Sequence, residues 1–230
     1  MKSPCIVYED KNFLIVNKPA GLLVHPTISS SEPTLVKWLL ERYPELRSVG
    51  DEPDLRPGIV HRLDKETSGV MIIPRNQEWF TYLKSLFASR LIKKKYIAVV
   101  FGKPSSEKGV IETPIGIKAG TIRRSVRSSK MAKPARTTYR VVRSFEAKDP
   151  RGSGEEYSVL EVSPETGRTH QIRVHLASIS HAVLGDPLYG PRRKPEWASR
   201  LMLHAESLEF TDPSGLAQQF SVAPDFTIPS

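Results

Sequence analysis

Apolar residues gather in short runs along this chain, and polar punctuation separates them. Cys5-Ile6-Val7-Tyr8 and Phe13-Leu14-Ile15-Val16 flank a polar connection at 9–12, which predicts two strands joined by a tight turn. Pro19 and Gly21 mark a loop after them. Thr34 is placed to cap a helix carrying Leu35, Trp38, Leu39 and Tyr43, and Pro44 ends it. Residues 70–73 predict a short buried strand. Over 76–89 the pattern turns helical: Trp79, Tyr82, Leu83, Leu86 and Phe87 fall at i, i+3, i+4, i+7 and i+8 and share one face, which predicts core packing. Residues 95–102, 136–145, 157–163 and 201–210 have strand character. Residues 169–179 predict a second helix with Ile172, Leu176 and Ile179 inward. Asp212, Pro213, Ser214 and Gly215 turn the chain into a last strand near 219–222. The expected fold class is α+β with many strands, in a single domain over 1–230.

Composition narrows the class. With 230 residues, 39% hydrophobic and 26% charged, the chain is long enough for a substantial core and too apolar for disorder. The longest apolar runs are too short to cross a bilayer, no signal-peptide stretch follows Met1, and Cys5 is the one cysteine, so a cytoplasmic location without disulfides is expected. The charge distribution says more. The net charge is +9, and between Thr113 and Phe145 there is no Asp or Glu. That stretch holds Lys118, Arg123, Arg124, Arg127, Lys130, Lys133, Arg136, Arg140 and Arg143, nine cations that equal the whole excess. A localised basic block is the footprint of a polyanion-binding surface; a solvated basic face is the plainer reading.

Several chemistries lack their motifs. There is no Gly-x4-Gly-Lys-Ser/Thr loop for nucleotide phosphates and no Gly-x-Gly-x-x-Gly after a strand for a dinucleotide. The six histidines, at 25, 61, 170, 175, 181 and 204, are scattered, so no metal site is expected. No cofactor is expected either, and the chemistry falls to ordinary side chains.

One carboxylate stands out. Asp64 lies in Ile59-Val60-His61-Arg62-Leu63-Asp64-Lys65-Glu66-Thr67-Ser68-Gly69. A carboxylate is a nucleophile only when ionised; burial opposes that, and a neighbouring arginine restores it. Arg62 lies two residues away, and Arg168 is presented by Gly167-Arg168-Thr169-His170-Gln171-Ile172-Arg173 where a turn opens a helix. A plain ion pair or turn residue is the bland alternative. The run Lys93-Lys94-Lys95-Tyr96 places an aromatic ring beside cations, which suits a stacked base with phosphates nearby.

The order of these motifs resembles the RluA-type pseudouridine synthases from about Ile6 to Phe210. The resemblance also takes in residues 17–21, 24–26 and 56–64, with Gly185-Asp186-Pro187-Leu188-Tyr189-Gly190 and Leu203-His204-Ala205. It implies a mixed, largely antiparallel sheet divided by a catalytic cleft and flanked by helices. It implies that Asp64 is the catalytic aspartate, Tyr96 the tyrosine that stacks on uracil, and Arg168 the arginine paired with the aspartate. Arg62 matches a position that fills the space of the flipped uridine. Ile172 and Leu203 match apolar pocket walls. His61, Lys94, Lys95, Arg123, Arg124, Arg127 and Arg173 are expected to contact RNA. Many relatives carry an N-terminal S4-type domain; with the pattern beginning by residue 6, that module is expected to be absent here. A His-Pro element common after residues 114–116 is replaced by a basic segment, expected to be a mobile RNA-contacting loop around 117–135.

The expected activity is isomerisation of uridine to pseudouridine in structured RNA, ribosomal or transfer, by a monomer that needs no obligate protein partner and no membrane. Two rivals have different signatures. A glycoside hydrolase would use Asp64 and Glu66, about 7 Å apart if the segment is a strand. A non-catalytic RNA-binding or ribosome-assembly protein would have no use for Asp64, Tyr96 and Arg168 together.

Overall fold

A computed structural model gives the fold and describes residues 2–26, 32–118, 121, 123–148, 154–191 and 193–229. In chain order the strands are β1 (Cys5–Glu9), β2 (Phe13–Lys18), β3 (Ser68–Pro74), β4 (Lys93–Phe101), β5 (Lys108–Ile111), β6 (Gly116–Ile117), β7 (Arg124–Ser125), β8 (Thr137–Lys148), β9 (Gly154–Pro164), β10 (Leu203–Thr211) and β11 (Ala217–Ser221). The α-helices are α1 (Leu35–Leu40), α2 (Gln77–Ala88) and α3 (Gln171–Ser178). The architecture is α+β and largely antiparallel. The chain divides into two compact units, Met1–Lys93 with Ala205–Ala223, and Lys94–His204 with Pro224–Ser230.

In the first unit β1, β2 and β3 pair antiparallel in sequence order, and β10 pairs antiparallel with β11. Register places Ile15 opposite Ile72. Since alternate residues share a face, Phe13, Ile15, Val70 and Ile72 form one apolar surface. Trp79, Leu83 and Leu86 of α2 and Leu208 and Phe210 of β10 pack on it. The rings interlock: Phe13 lies 5.1 Å from Trp79 and 5.8 Å from Phe210. The helix begins where its cap predicts, because Asn76 Oδ1 accepts the Trp79 N–H at 2.9 Å. Thr34 caps α1 in the same way through the Lys37 N–H. Pro44 starts a 3₁₀ turn, Pro44–Ser48, beyond the end of α1 at Leu40. Tyr82 and Phe87 are only partly buried, and Phe80, one residue off the predicted stripe, is buried.

One glycine fixes how β3 meets β10. Gly69 has φ of +121°, and a Cβ there would sit 2.1 Å from the Ala205 carbonyl oxygen. Backbone approaches backbone so closely that no side chain fits, and the positive φ excludes one independently.

In the second unit the strand order is β4-β9-β8-β5, with every neighbouring pair antiparallel. Its two faces are covered differently. Ala98, Val100, Leu160 and Val162 face Ile172 and Leu176 of α3, together with Val183, Leu201 and Leu203. Val99 and Tyr157 face Leu184, Ala198 and Met202. Toward the edge that second face turns polar, and Lys108, Thr138, Arg140, Glu161 and Ser163 line a shallow concavity of about 360 Å³. The alternation of β4 and β9 generates both surfaces.

His175 locks α3 against β8. It is fully buried, its Nε2–H donates to the Thr113 carbonyl at 3.0 Å, and its Nδ1 lies 2.9 Å from the Thr137 hydroxyl. A carbonyl can only accept, which assigns the neutral Nε2–H tautomer. Burial pushes the imidazole below its ordinary value, and the Thr113 bond offsets this only in part.

Two expectations follow for stability. Replacing Gly69 by Ala should cost at least about 3 kcal/mol, read as a lower urea midpoint, because strain and overlap add. Below about pH 6.5 the unfolded chain binds a proton that the folded, buried His175 resists. Folding stability should therefore be full above that pH and fall on acidification. In His175→Gln the dependence between about pH 6.5 and 5 should flatten, and an unchanged slope in urea titrations would assign it to other groups.

Candidate active site and RNA interface

Asp64 sits half-buried in the first unit, in the loop entering β3. Its own carbonyl accepts the Thr67 N–H at 3.1 Å, closing a turn over 64–67. Asp64 and Glu66 thus lie in a turn, and the extended spacing that a hydrolase pair was expected to have does not apply to them. The loop is tied down on both sides of the carboxylate. Upstream, His61 Nε2 accepts the Ile72 N–H at 3.1 Å and its ring stacks on Phe87 at 4.6 Å. Downstream, the Lys65 carbonyl accepts from the Gly21 N–H at 2.8 Å and from Lys18 Nζ at 3.2 Å.

Lys18 is the residue that sequence reasoning passed over here. It is fully buried, and its ammonium also donates to the carbonyls of Pro19 and Leu22, each at 2.9 Å. Three donors meet three carbonyls, which compensates much of the cost of burying a charge. The ammonium stitches the Pro19–Gly21 loop to the backbone beside Asp64. Arg62 is exposed, and its Nη1 lies 3.4 Å from His25 Nε2.

In the second unit Tyr96 lies on β4 opposite Val162. It packs on the apolar cluster that contains Ile172 and Leu203, so the structure brings these three expected site residues together. Ile172 and Leu203 are buried in that cluster, and Tyr96 is half-exposed against it. Strand alternation sorts the neighbouring cations. Lys94, two residues before Tyr96, shares its face; Lys95 takes the opposite face, where Glu161 meets its ammonium at 3.2 Å. Burial pushes the Lys94 ammonium down to about 8, and its Nζ approaches the Thr166 carbonyl at 3.5 Å, long for a hydrogen bond.

Thr166 belongs to the turn that carries Arg168, and Gln171 holds that turn. This buried side chain uses all four of its hydrogen-bonding positions. Its Oε1 accepts the Thr166 hydroxyl at 2.6 Å and the Arg168 N–H at 3.0 Å; its Nε2 donates to the Arg136 carbonyl at 2.9 Å and the Thr137 hydroxyl at 3.0 Å. Arg168 is half-buried, and its Nε donates to the Pro134 carbonyl at 3.2 Å. A glutamine opening a helix was visible in the motif, but its partners on β8 were not.

Three residues expected to contact RNA have partners within the fold. Arg173 is 1% exposed and makes two 2.8 Å bonds to the Asp186 carboxylate. Such a pair is costly to open, because it would strand a buried charge. Burial alone would push the Asp186 carboxyl up, but the Arg173 guanidinium and the Leu188 and Tyr189 amides hold it below its ordinary range. His61 is engaged by the β3 backbone, and Lys95 by Glu161.

The basic segment contains one short antiparallel pair and is otherwise irregular among the described residues. β6 and β7 pair antiparallel, and the Ile117 N–H reaches the Lys130 carbonyl at 2.9 Å. Arg123 and Arg127 are exposed, and Arg124 is half-buried with Nε lacking a hydrogen-bond partner. Residues 119, 120 and 122 of this segment lie outside the described residues. No group of three or more metal-ligating side chains occurs among the described residues.

The comparisons draw these features together. A relative from Chloroflexus aurantiacus, described as an uncharacterized RNA pseudouridine synthase, is 45% identical over 206 residues, covering 89% of this chain and 61% of that one. The ribosomal large subunit pseudouridine synthase D of Borreliella burgdorferi is 40% identical over 204 residues, covering 89% and 60%. The chain thus spans about 60% of the length of these curated relatives. The solved structure of human RNA pseudouridylate synthase domain containing 1 superposes with a TM-score of 0.77 at 26% identity, covering 98% of this chain and 85% of that one. The family described as RNA pseudouridylate synthase matches residues 12–178, a span that holds Asp64, Tyr96 and Arg168, and the chain belongs to that family.

Proposed function

We propose that this chain isomerises uridine to pseudouridine in structured RNA. Asp64 is the attacking carboxylate, Tyr96 the stacking partner of the uracil, and Arg168 the accompanying guanidinium. The observation that carries the reading is the family match over residues 12–178, the span in which all three residues lie. The half-exposed Tyr96 ring on an apolar backing supports it. The relatives named for the large ribosomal subunit make ribosomal RNA the first substrate to test.

The chemistry asks for what these residues supply. The bond from ribose C1′ to N1 of uracil breaks, the base turns, and C1′ rejoins at C5. The C5 proton leaves and N1 gains one, so the step is redox-neutral. The target base must first leave its stack, at a cost of a few kcal/mol. Tyr96 replaces part of the lost stacking, worth about 1–3 kcal/mol per base. The apolar cluster against which it packs, which includes Ile172 and Leu203, disfavours water, which would otherwise capture the detached sugar. Arg123 and Arg127 hold backbone phosphates, and Arg62 takes the place of the flipped nucleotide. The protein acts as a monomer in the cytoplasm.

Turnover is read directly with ribosomal RNA tritiated at uracil C5. The wild type should release tritium to water without free uracil, and Asp64→Asn should abolish release while RNA binding persists. Free uracil in the wild-type reaction would instead indicate a hydrolase. In Arg123→Ala/Arg127→Ala, binding should weaken and the slope of log affinity against log salt should fall by roughly one to two. An unchanged slope would remove these residues from the phosphate contacts.

A further inference from the structure

One hydroxyl in the second unit joins the basic hairpin to the start of α3. Tyr189 Oη accepts the main-chain N–H of Arg124, the first residue of β7, at 2.8 Å. The same oxygen lies 2.8 Å from Nδ1 of His170, the N-cap residue of α3, whose φ is +56°. Tyr189 is itself fixed from beneath. Asp186 Oδ1 accepts the Leu188 and Tyr189 N–H groups at 2.8 and 3.1 Å, while Arg173 grips the same carboxylate. The Arg173 guanidinium also lies 5.4 Å from the centre of the Tyr189 ring. The ring packs with Val126 of the hairpin on Ile115, Ala135 and Val174. A continuous series of contacts therefore runs from the buried Arg173 through Asp186 and Tyr189 to the backbone of β7.

The β6 side of the hairpin is also held by the Ile117 N–H to Lys130 bond and by the Ser128 hydroxyl on the Ile117 carbonyl, and the Tyr189 bond holds the β7 side. The hairpin ladder is two residues long on each side, and an isolated two-stranded ribbon is marginal in water. Arg123 and Arg127 flank β7, so the Arg124 N–H bond sits between the two exposed cations.

We propose that Tyr189 is a positioning residue for RNA binding: its hydroxyl fixes the basic hairpin in register with the turn that presents Arg168. The idea rests on the RNA-modifying reading for its ligand, but not on turnover. The ring supplies an apolar seat for the hairpin and the hydroxyl supplies the register, so Tyr189→Phe removes the second and keeps the first.

The test is a binding cycle with protein-free ribosomal RNA as the probe, comparing wild type, Tyr189→Phe, Arg123→Ala/Arg127→Ala and the triple variant. Tyr189→Phe should weaken binding by about 3- to 10-fold in the wild-type background, the range set by one lost hydrogen bond. It should change nothing once Arg123 and Arg127 are gone. Equal losses in both backgrounds, or no loss in the first, would overturn the proposal. Amide exchange supplies a second reading without RNA: the Arg124 N–H should exchange faster in Tyr189→Phe, and unchanged protection would also overturn it. Tritium release by the wild type judges the reaction separately. A chain that shows the cycle but releases no tritium keeps the tether and loses the isomerase.

Discussion

A loop has no hydrogen-bond ladder of its own, yet its buried backbone groups must still be satisfied. Here two buried polar side chains carry that burden, one in each unit. Lys18 spends its ammonium on the carbonyls of Pro19, Leu22 and Lys65, and so fixes the chain next to Asp64. Gln171 spends its amide on Thr166, Arg168, Arg136 and Thr137, and so fixes the turn next to Arg168. Each acts on main chain or on small hydroxyls, where geometry is tight and rotamer freedom small. A buried amine or amide without those partners would cost several kcal/mol, so each loop and its anchor require one another.

Strand alternation is the second organising constraint, because it decides which cations remain free to act. The run Lys93-Lys94-Lys95-Tyr96 looks like one basic cluster in the sequence, and on β4 it is not one. Lys94 shares the face of Tyr96, whereas Lys95 takes the other face and meets Glu161. Burial sorts the remainder. Arg173 is committed to Asp186 inside the fold, while Arg123 and Arg127 stand exposed on the hairpin. Charge counting identified the basic segment correctly as a place of excess, but it could not separate a cation that is already paired from one that can meet phosphate.

Legibility followed the range of the interaction. The strands of the first unit, α2 with its Asn76 cap, and the inward side of α3 rest on local periodicity and capping, and both are written in consecutive residues. The short strands β5, β6 and β7 were not legible, since four residues or fewer carry too little pattern, and their pairing partners lie elsewhere. Asp64, Tyr96 and Arg168 stood out because their motifs are long and ordered. Lys18, Gln171 and Tyr189 did not acquire roles from the same motifs. Their work consists of contacts to residues up to 65 positions away, such as Tyr189 with the Arg124 amide, and no spacing rule announces those.

The mode of anchoring also decides which side chains can be exchanged without disturbing the fold. The Asp64 turn closes through its main-chain carbonyl, and the bonds around it run to Lys65, His61 and Gly21. Changing the Asp64 carboxylate to an amide of the same shape leaves every one of those main-chain bonds available. At Arg168 the side chain itself is tied to the main chain. Its N–H is held by Gln171, but its guanidinium also donates to the Pro134 carbonyl, at the start of the chain that enters β8. Removing that side chain takes away a structural bond together with a charge, and the two effects arrive mixed.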